Sequence, residues 1–302
     1  PDNLKVVGSN PTPATINTHT QPPHRAAFLL NTPRQHNIAT TSLRRGDNPM
    51  ALSLTRRTFL LGTGCILIAP VTAHAAKEAD VPYVPTPIEV VEGMLDMAGL
   101  RAGERLIDLG SGDGRIPRAA ARRSATALGV EIDAGLVARA RSLTRLEGLE
   151  ERARFVRDDL FTVSLRDADV VTLYLLPDVN ERLKPKLLSE MKPGARVISH
   201  AFDMGDWPPD ERREIADKHV FRWTVPAVAG GEWRLIRADG SAAALVIEQR
   251  YSDVSGTLDG RDIHDPELVG AEFHFVADGA AYRGKVGDRT ITGGDWSAER
   301  ID

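Results

Sequence analysis

An apolar run that ends in an acidic residue and passes directly into a glycine-rich turn is the most constraining feature of this chain. It reads Leu-Ile-Asp-Leu-Gly-Ser-Gly-Asp-Gly-Arg over residues 106–115. A strand that enters a helix through such a turn brings bare backbone close to a ligand, because glycine tolerates positive φ and has no Cβ. The sequence therefore predicts a nucleotide-type pocket at this turn.

The spacing of the glycines argues against two common nucleotide-binding motifs. A dinucleotide fingerprint that began at Gly110 would need glycine at position 115, where Arg115 stands. A P-loop would need a Lys-Ser or Lys-Thr pair, which this stretch lacks. The remaining pattern is Asp-x-Gly-x-Gly-x-Gly, from position 108 to position 114.

A second acidic residue stands at the offset that such a fold requires. Residues 128–133 read as another apolar strand with acids at its end, about 20 residues after the turn. An α/β nucleotide fold places a carboxylate against the ribose hydroxyls at this offset. Glu131 is therefore the predicted ribose ligand.

The pattern from 108 to 114 resembles the first motif of the class I, Rossmann-like S-adenosylmethionine (SAM) methyltransferases. The resemblance implies SAM as the cofactor and a third strand, within residues 153–161, whose terminal acid meets the adenine amino group. Asp159 fits that role best, with Asp158 as the alternative. The implied cofactor-binding residues are Asp108, Gly110, Ser111, Gly112, Asp113, Gly114, Glu131, Ile132, Asp158 and Asp159.

Further motifs resemble the bacterial and mitochondrial branch that includes the lysine N-methyltransferases acting on the ATP-synthase c-ring protein and the adenine nucleotide translocase. The Pro-Tyr-Val-Pro-Thr-Pro run at 82–87 is similar to its P-[YF]-V-P-[AT] element, and residues 169–177 to its fourth strand and following loop. The resemblance runs from about residue 82 to residue 207 and implies protein-lysine methylation. A small-molecule methyltransferase and a non-catalytic SAM-binding or scaffold protein of the periplasm remain alternatives.

Methyl transfer from a sulfonium is an in-line displacement that mainly needs a lone pair held against the methyl carbon. A lysine amine is mostly protonated at neutral pH, so its site should desolvate it or accept its proton. The candidate catalytic residues at the expected pocket mouth are Tyr83, Tyr174, Asp178 and Asn180. The alternative roles are packing for the tyrosines and helix capping for Asp178 and Asn180.

The distribution of apolar and turn-forming residues along the chain predicts an α/β fold with a Rossmann-like doubly wound sheet, followed by a small antiparallel β domain. The earlier apolar runs are continuous, as in a parallel sheet covered by helices on both faces. A helix is predicted around 183–191 and a fifth strand over 195–200, ending at His200. A structural role is expected for His200 and no metal site is predicted, because no second His or acid stands at ligand spacing. Beyond Pro226, short segments separated by Gly, Asp and Ser predict an antiparallel meander, as a small barrel or a sandwich.

The region before these motifs resembles a twin-arginine signal peptide. Arg56 and Arg57 precede an apolar run, and Ala-His-Ala at 73–75 resembles a cleavage site. We therefore expect export to the periplasm, with cleavage near Ala75. The apolar run is too short to span a bilayer, so no stable membrane insertion is expected after cleavage. The predicted regions are 1–49, disordered and upstream of the natural start; 50–75, the signal; 76–226, the methyltransferase domain; and 227–302, the β domain.

Charge limits the class of partner. The net charge is −4 overall. Residues 1–76 hold 7 Lys/Arg and 2 Asp/Glu, which leaves 31 and 40 for the rest, or −9. An acidic body argues against a nucleic-acid substrate, because phosphate binding needs a basic surface. The expected partner is a protein or small-molecule methyl acceptor.

Overall fold

The structure, a computed structural model, describes residues 83–301. The predicted signal peptide, the segment upstream of it and Pro82 lie outside the described residues. Within them the chain forms a seven-stranded sheet with helices and a nine-stranded antiparallel sheet. The predicted fold class is confirmed.

The first sheet has a parallel part of five strands and an antiparallel edge of two. The parallel strands are β1 Arg105–Leu109, β2 Thr126–Glu131, β3 Ala153–Arg157, β4 Val170–Leu173 and β5 Arg196–His200; the edge strands are β6 Glu211–Ile215 and β7 Lys218–Thr224. The helices are α1 Ile88–Met97, α2 Arg115–Arg122, α3 Ala134–Leu146 and α4 Pro177–Glu190. The longest of them has 14 residues, so no helix between residues 83 and 301 combines the length and apolar character needed to cross a bilayer.

Helices cover both faces of this sheet because successive strand residues point to opposite sides. In β1, Leu106 packs with α1 and α2 on one face, whereas Ile107 packs with α4 on the other. All four residues of β4 are buried. The strands are apolar throughout for this reason, which is the pattern of a parallel sheet buried on both sides.

The strand order is β3-β2-β1-β4-β5-β7-β6. The chain moves in one direction from β1 to β3 and then returns to the other side of β1 as β4. The point between β1 and β4 is therefore a topological switch, and α/β sheets bind ligands at the carboxyl ends of the strands beside such a point.

The second sheet confirms the predicted antiparallel meander and is nearly closed. Its strands are β8 Gly231–Arg237, β9 Ala242–Arg250, β10 Asp253–Leu258, β11 Arg261–Asp262, β12 His264–Val269, β13 Glu272–Ala277, β14 Ala280–Val286, β15 Thr290–Gly293 and β16 Trp296–Arg300. The edge strands β11 and β12 are neighbours in the chain, and the Ile263 amide between them donates to the Gly256 carbonyl at 3.0 Å. Large aromatic side chains fill the interior. The predicted domain boundary at 226/227 stays a prediction.

Two hairpins of the second sheet touch the first part of the chain. In the β9–β10 hairpin, the Tyr251 ring stacks on Trp207 with centroids 5.8 Å apart, and an Arg250 guanidinium nitrogen lies 3.3 Å from the Asp206 carboxylate. In the β12–β13 hairpin, Gly270 approaches the backbone before β5 so closely that a Cβ on Gly270 would lie 2.8 Å from the Cα of Gly194. These contacts fix the second sheet beside the loops that precede and follow β5.

Candidate active site

A cavity of about 460 Å³ opens at the carboxyl ends of the parallel strands, beside the topological switch point. This volume falls within the roughly 300–1,000 Å³ typical of small-molecule sites. Its wall combines the end of β1, the glycine turn, the ends of β2, β3 and β4, and the segment at 83–86. Nine of the ten predicted cofactor-binding residues line it; Gly114, directly before α2, does not.

The glycine turn has the backbone geometry that the sequence indicates. Gly110, Gly112 and Gly114 have φ values of 78°, 55° and 77°. A Cβ on Gly112 would lie 2.5 Å from a ring carbon of Tyr83. A side chain at position 112 would therefore both strain the backbone and displace the segment that covers the turn.

The Glu131 carboxylate is held by backbone amides on both sides. The Gly112 amide donates to Oε2 and the Asp133 amide donates to Oε1, each at 2.9 Å. A carboxylate has about four acceptor positions, so two remain for a ligand. Since Glu131 also lines the cavity, its geometry fits the predicted contact with vicinal ribose hydroxyls.

Asp108 is a buried acid whose charge depends on what occupies the cavity. Burial raises its pKa to about 7; the Thr172 hydroxyl, which donates to Oδ1 at 2.7 Å, opposes the rise, and the negative charges of Glu131 and Asp113 add to it. The ligand-free protein therefore keeps this carboxyl partly protonated near neutral pH. A cationic ligand beside it would favour the ionised form.

Arg115 ties the glycine turn to the segment above it. Its Nε and Nη2 atoms donate to the two carboxylate oxygens of Asp113 at 3.0 and 2.8 Å, and its Nη1 donates to the Thr86 carbonyl at 2.6 Å. Burial alone would raise the pKa of Asp113, but the hydrogen bonds and charge of Arg115 lower it. The Asp113 carboxylate thus anchors Arg115, whose link to the Thr86 carbonyl the glycine spacing alone does not predict.

The end of β3 supplies the two acids predicted to meet an adenine ring. Asp158 accepts the Thr162 hydroxyl at 2.9 Å, and Asp159 accepts the Phe161 amide at 3.0 Å. Both line the cavity together with the apolar side chains of Ile132 and Leu160. This part of the wall can flank a flat ring with apolar groups and offer acceptors to an amino group at its edge.

One unsatisfied atom supports a polar ligand in this cavity. Ser111 Oγ is buried and has no hydrogen-bond partner within residues 83–301, although Ser111 lines the cavity. Buried polar atoms are normally paired. The donor and acceptor set of the wall therefore fits a nucleoside with hydroxyl, amino and cationic groups.

The four candidate catalytic residues separate into two pairs. Tyr83 and Tyr174 line the cavity, and Tyr83 is 43% exposed. Asp178 and Asn180 lie outside that wall, which corrects the expectation that they stand at the pocket mouth. The reason is that α4 begins at Pro177 rather than near residue 183.

The early start of α4 gives Asp178 and Asn180 structural roles. Asp178 is exposed in the first turn, where an acid favours the helix N-terminus. Asn180 is fully buried, and its Nδ2 donates to the Asp203 carbonyl at 3.1 Å and to Ser199 Oγ at 3.3 Å. Asn180 thereby secures the loop after β5.

His200 lies directly behind the cavity wall. It is 1% exposed, its ring centroid is 3.8 Å from that of Tyr174, and its Nδ1 lies 3.3 Å from Thr86 Oγ1. Burial lowers its pKa to about 4, and the positive charge of Lys218 contributes. Between residues 83 and 301, no group of three or more His, Cys, Asp or Glu side chains could hold a metal ion.

Comparison with known proteins supports the cofactor assignment. The family model described as the ANTKMT methyltransferase domain matches residues 108–211. A protein-lysine N-methyltransferase of Saccharolobus islandicus (strain REY15A) is 44% identical over 142 residues, which are 46% of this chain and 88% of that protein. The chain therefore belongs to the same methyltransferase family as the Saccharolobus protein. It is a SAM-dependent methyltransferase, as the resemblance implied.

Two further similar proteins differ in their named substrates. The mouse adenine nucleotide translocase lysine N-methyltransferase (Mus musculus) is 37% identical over 145 residues, covering 48% of this chain and 63% of its own. A crystal structure named as an RNA methyltransferase from Salinibacter ruber, in complex with S-adenosyl-L-homocysteine, is 46% identical and has a TM-score of 0.46. It covers 47% of this chain and 94% of its own.

Proposed function

We propose that this enzyme transfers the methyl group of SAM to lysine side chains of a protein. The observation that carries the proposal is one cavity lined by two chemically distinct sets of residues. The acids Asp108, Glu131, Asp158 and Asp159 line what we call its acidic end, at the ends of β1, β2 and β3. Tyr174, which follows β4, and Tyr83, whose ring packs against Gly112, line what we call its aromatic or acceptor end. The two relatives that act on protein lysines, by their names, support this acceptor.

The acidic end suits the cofactor. Glu131 would accept the ribose hydroxyls, Asp159 or Asp158 the adenine amino group, and Asp108 would balance positive charge. When bound, SAM supplies a methyl group activated by its sulfonium. The apolar wall at Ile132 and Leu160 would exclude water from the ring between those contacts.

The aromatic end suits an alkylammonium side chain. Tyrosine rings bind the methylene stem of a lysine and attract its cationic head through their π faces. Once that head is desolvated between Tyr83 and Tyr174, its pKa falls and the neutral amine becomes more abundant. The exposure of Tyr83 leaves a route for a side chain to enter from a folded protein.

The acidic charge of the chain favours a protein acceptor over a nucleic acid. Residues 77–302 carry a net charge of −9, whereas a nucleic-acid site needs a basic surface. The export of the enzyme is also a proposal, which rests on Arg56, Arg57 and the apolar run after them. A fusion of residues 50–80 to a reporter that works only outside the cytoplasm should be active, and changing both arginines to lysine should abolish export.

Methyl transfer with labelled SAM tests the function. The purified full chain is incubated with a protein extract and SAM carrying a tritiated methyl group, and methylated residues are identified by mass spectrometry. We expect methyl-lysine, its loss with Glu131→Ala, and normal yield with the matched control Glu248→Ala on an exposed face of β9. Label only in RNA or small molecules would refute the lysine proposal, and SAM binding without any transfer would favour the non-catalytic alternative.

A further inference from the structure

We propose that His200 is a positioning residue for methyl transfer, which acts through Thr86 and Tyr174 to fix the acceptor end of the cavity. The inference rests on the proposed function. His200 does not line the cavity, but Thr86 and Tyr174, whose side chains contact its ring, do. These two contacts join the end of β5 to the residue after β4 and to the segment before α1, which are distant in the chain.

Thr86 is the point where the covering segment is held from two sides. Its carbonyl accepts a hydrogen bond from Arg115 Nη1 at 2.6 Å, and its hydroxyl oxygen lies 3.3 Å from His200 Nδ1. The side chain is 4% exposed. One link therefore joins the segment to the glycine turn at the cofactor end, and the other joins it to the end of β5. Loss of the second link would leave Tyr83, three residues earlier, free to move away from the cavity.

Tyr174 depends on His200 in a different way. The two rings are tilted by 33° with centroids 3.8 Å apart, so the imidazole supports the face of Tyr174. Removal of the imidazole would leave space beside a ring that faces the acceptor. His200 thus supports Tyr174 directly and Tyr83 through Thr86.

The backbone around His200 is unusually constrained. Ala201 has φ of 69°, a left-handed conformation that non-glycine residues rarely adopt. The Phe202 amide donates to the His200 carbonyl at 2.9 Å, and Ser199 Oγ donates to the Phe202 carbonyl at 2.6 Å. Such strain persists where the surroundings determine the conformation. The imidazole is therefore fixed by its own strand end as well as by its partners.

The chemistry of His200 favours positioning over proton transfer. With its pKa lowered to about 4 by burial, the imidazole is far too weak a base to take a proton from a lysine ammonium. It remains neutral at physiological pH. A neutral ring can support the acceptor end without repelling the two cations, sulfonium and ammonium, that meet there.

Two variants break the contact between Thr86 and His200 from either side and keep a ring beside Tyr174. Thr86→Val removes the hydroxyl and retains the shape of the side chain, and His200→Phe retains a ring and removes Nδ1. Each should lower kcat by about 10-fold or more, because small misplacement of a reacting group is costly. The SAM Kd should stay within about twofold. Since both changes break one contact, their effects in the double variant should be clearly less than additive.

Thr86→Ser should restore kcat, since it returns the hydroxyl. Thr144→Val is the matched control, because Thr144 is also a buried threonine but bonds to the Ala140 carbonyl within α3. It should leave kcat unchanged. Wild-type kcat in either Thr86→Val or folded His200→Phe, or additive losses, would overturn the inference.

Hydrogen exchange of the amides at 83, 84 and 86 gives a readout that does not need a known acceptor. Thr86→Val and His200→Phe should speed exchange at these amides, and Thr144→Val should not. If the wild-type enzyme methylates no lysine, the proposed function fails while the exchange result still decides the role of His200. Unchanged exchange in both variants would refute the positioning role, whatever the acceptor.

Discussion

The two sheets of this protein bury their side chains in different ways. The parallel sheet places Asp108, Glu131 and His200 at or near its strand ends, all buried. The antiparallel sheet is filled by rings such as Phe275 and Tyr282, which stack with centroids 4.7 Å apart. The first arrangement keeps ionisable groups in a low-dielectric environment, and the second maximises packing. The chemistry of the protein therefore belongs to the strand ends of the parallel sheet.

Polar atoms show the same difference. Five buried side-chain atoms have no partner in the described part of the protein, and all lie in the first part of the chain: Ser111 Oγ, Asn180 Oδ1, His200 Nε2, Arg222 Nε and Thr224 Oγ1. In the second sheet, Trp233 Nε1 donates to the Ala229 carbonyl at 2.8 Å and Trp296 Nε1 donates to the Arg283 carbonyl at 3.2 Å. Unsatisfied groups cost stability, so the position of Ser111 in the cavity wall indicates where function has been favoured over stability.

The largest expected effect is on the core of the second sheet. Trp233 is fully buried there, with the Arg300 guanidinium 4.1 Å above its ring. Trp233→Ala should lower the free energy of unfolding by about 3–5 kcal/mol, measured by urea denaturation, because it leaves a large cavity. Below the unfolding transition its SAM affinity should match the wild type. Weaker SAM binding by the folded variant would show that the second sheet shapes the cofactor site, and the partly exposed Val246→Ala is the mild control.

Asp108→Asn should have opposite effects on stability and on binding. The pKa of Asp108 in the folded state, about 7, exceeds the ordinary value of 3.8. At pH values between these two, the folded protein therefore binds a proton at Asp108 that the unfolded chain does not. Stability contributed by this group is therefore lost as pH rises from about 4 to about 7. Asp108→Asn should stabilise the ligand-free protein at pH 8 by about 2–4 kcal/mol and weaken SAM binding.

Thermal unfolding of Asp108→Asn and wild type from pH 5 to pH 8 measures this difference. His200 contributes a slope of the opposite sign, since its lowered pKa makes stability fall as pH drops below about 6.5. The informative quantity is thus the difference between the two proteins. Asp288→Asn, a control at an exposed aspartate, should leave the pH dependence of stability as it is in the wild type. A difference in stability between Asp108→Asn and wild type that stays constant from pH 5 to pH 8 would contradict a raised pKa of Asp108.

Glu131→Ala should weaken SAM binding by about 1.5–3 kcal/mol, the value of a lost charge-assisted hydrogen bond. Calorimetry measures the loss. Glu248→Ala is the control from the other sheet. It removes an exposed acid from β9, which is distant in sequence from every residue that lines the cavity. Equal SAM affinity in the two variants would mean that the carboxylate at the end of β2 does not contact the cofactor.

SAM affinity should rise with pH by about 10-fold between pH 6 and pH 8, which corresponds to about 1.4 kcal/mol. The reason is that the cationic cofactor favours ionised Asp108, which is protonated in part of the ligand-free protein at neutral pH. Calorimetry at several pH values tests the trend. Asp108→Asn should remove it, and a pH-independent wild-type affinity would contradict the expectation.

The residues that line the acidic end of the cavity could be predicted from sequence because they are local. The turn at 108–114 determines its own backbone through glycine, and Glu131 follows from the fixed length of a strand-helix-strand unit. The continuous apolar strands likewise predicted a covered parallel sheet. These features depend on neighbouring residues in the chain and on geometry common to all such folds.

The acceptor side could not be predicted, because its contacts join distant parts of the chain. Thr86 and His200 are 114 residues apart. The start of α4 was also missed, although Pro177 is well placed at a helix N-terminus, and so Asn180 was assigned to the wrong environment. Strands such as β6, with the sequence ERREI, and β12, which contains Pro266, lack the composition of strands and form by pairing with neighbours.

A crystal structure of the full chain grown with S-adenosylhomocysteine tests the central claim most directly. We predict the adenosine part at the carboxyl ends of β1, β2 and β3, with the ribose hydroxyls about 3 Å from the Glu131 carboxylate. The adenine ring should lie between Ile132 and Leu160, and the sulfur should face Tyr83 and Tyr174. Ligand density elsewhere, or ribose hydroxyls beyond hydrogen-bond distance of Glu131, would contradict the assignment of this cavity.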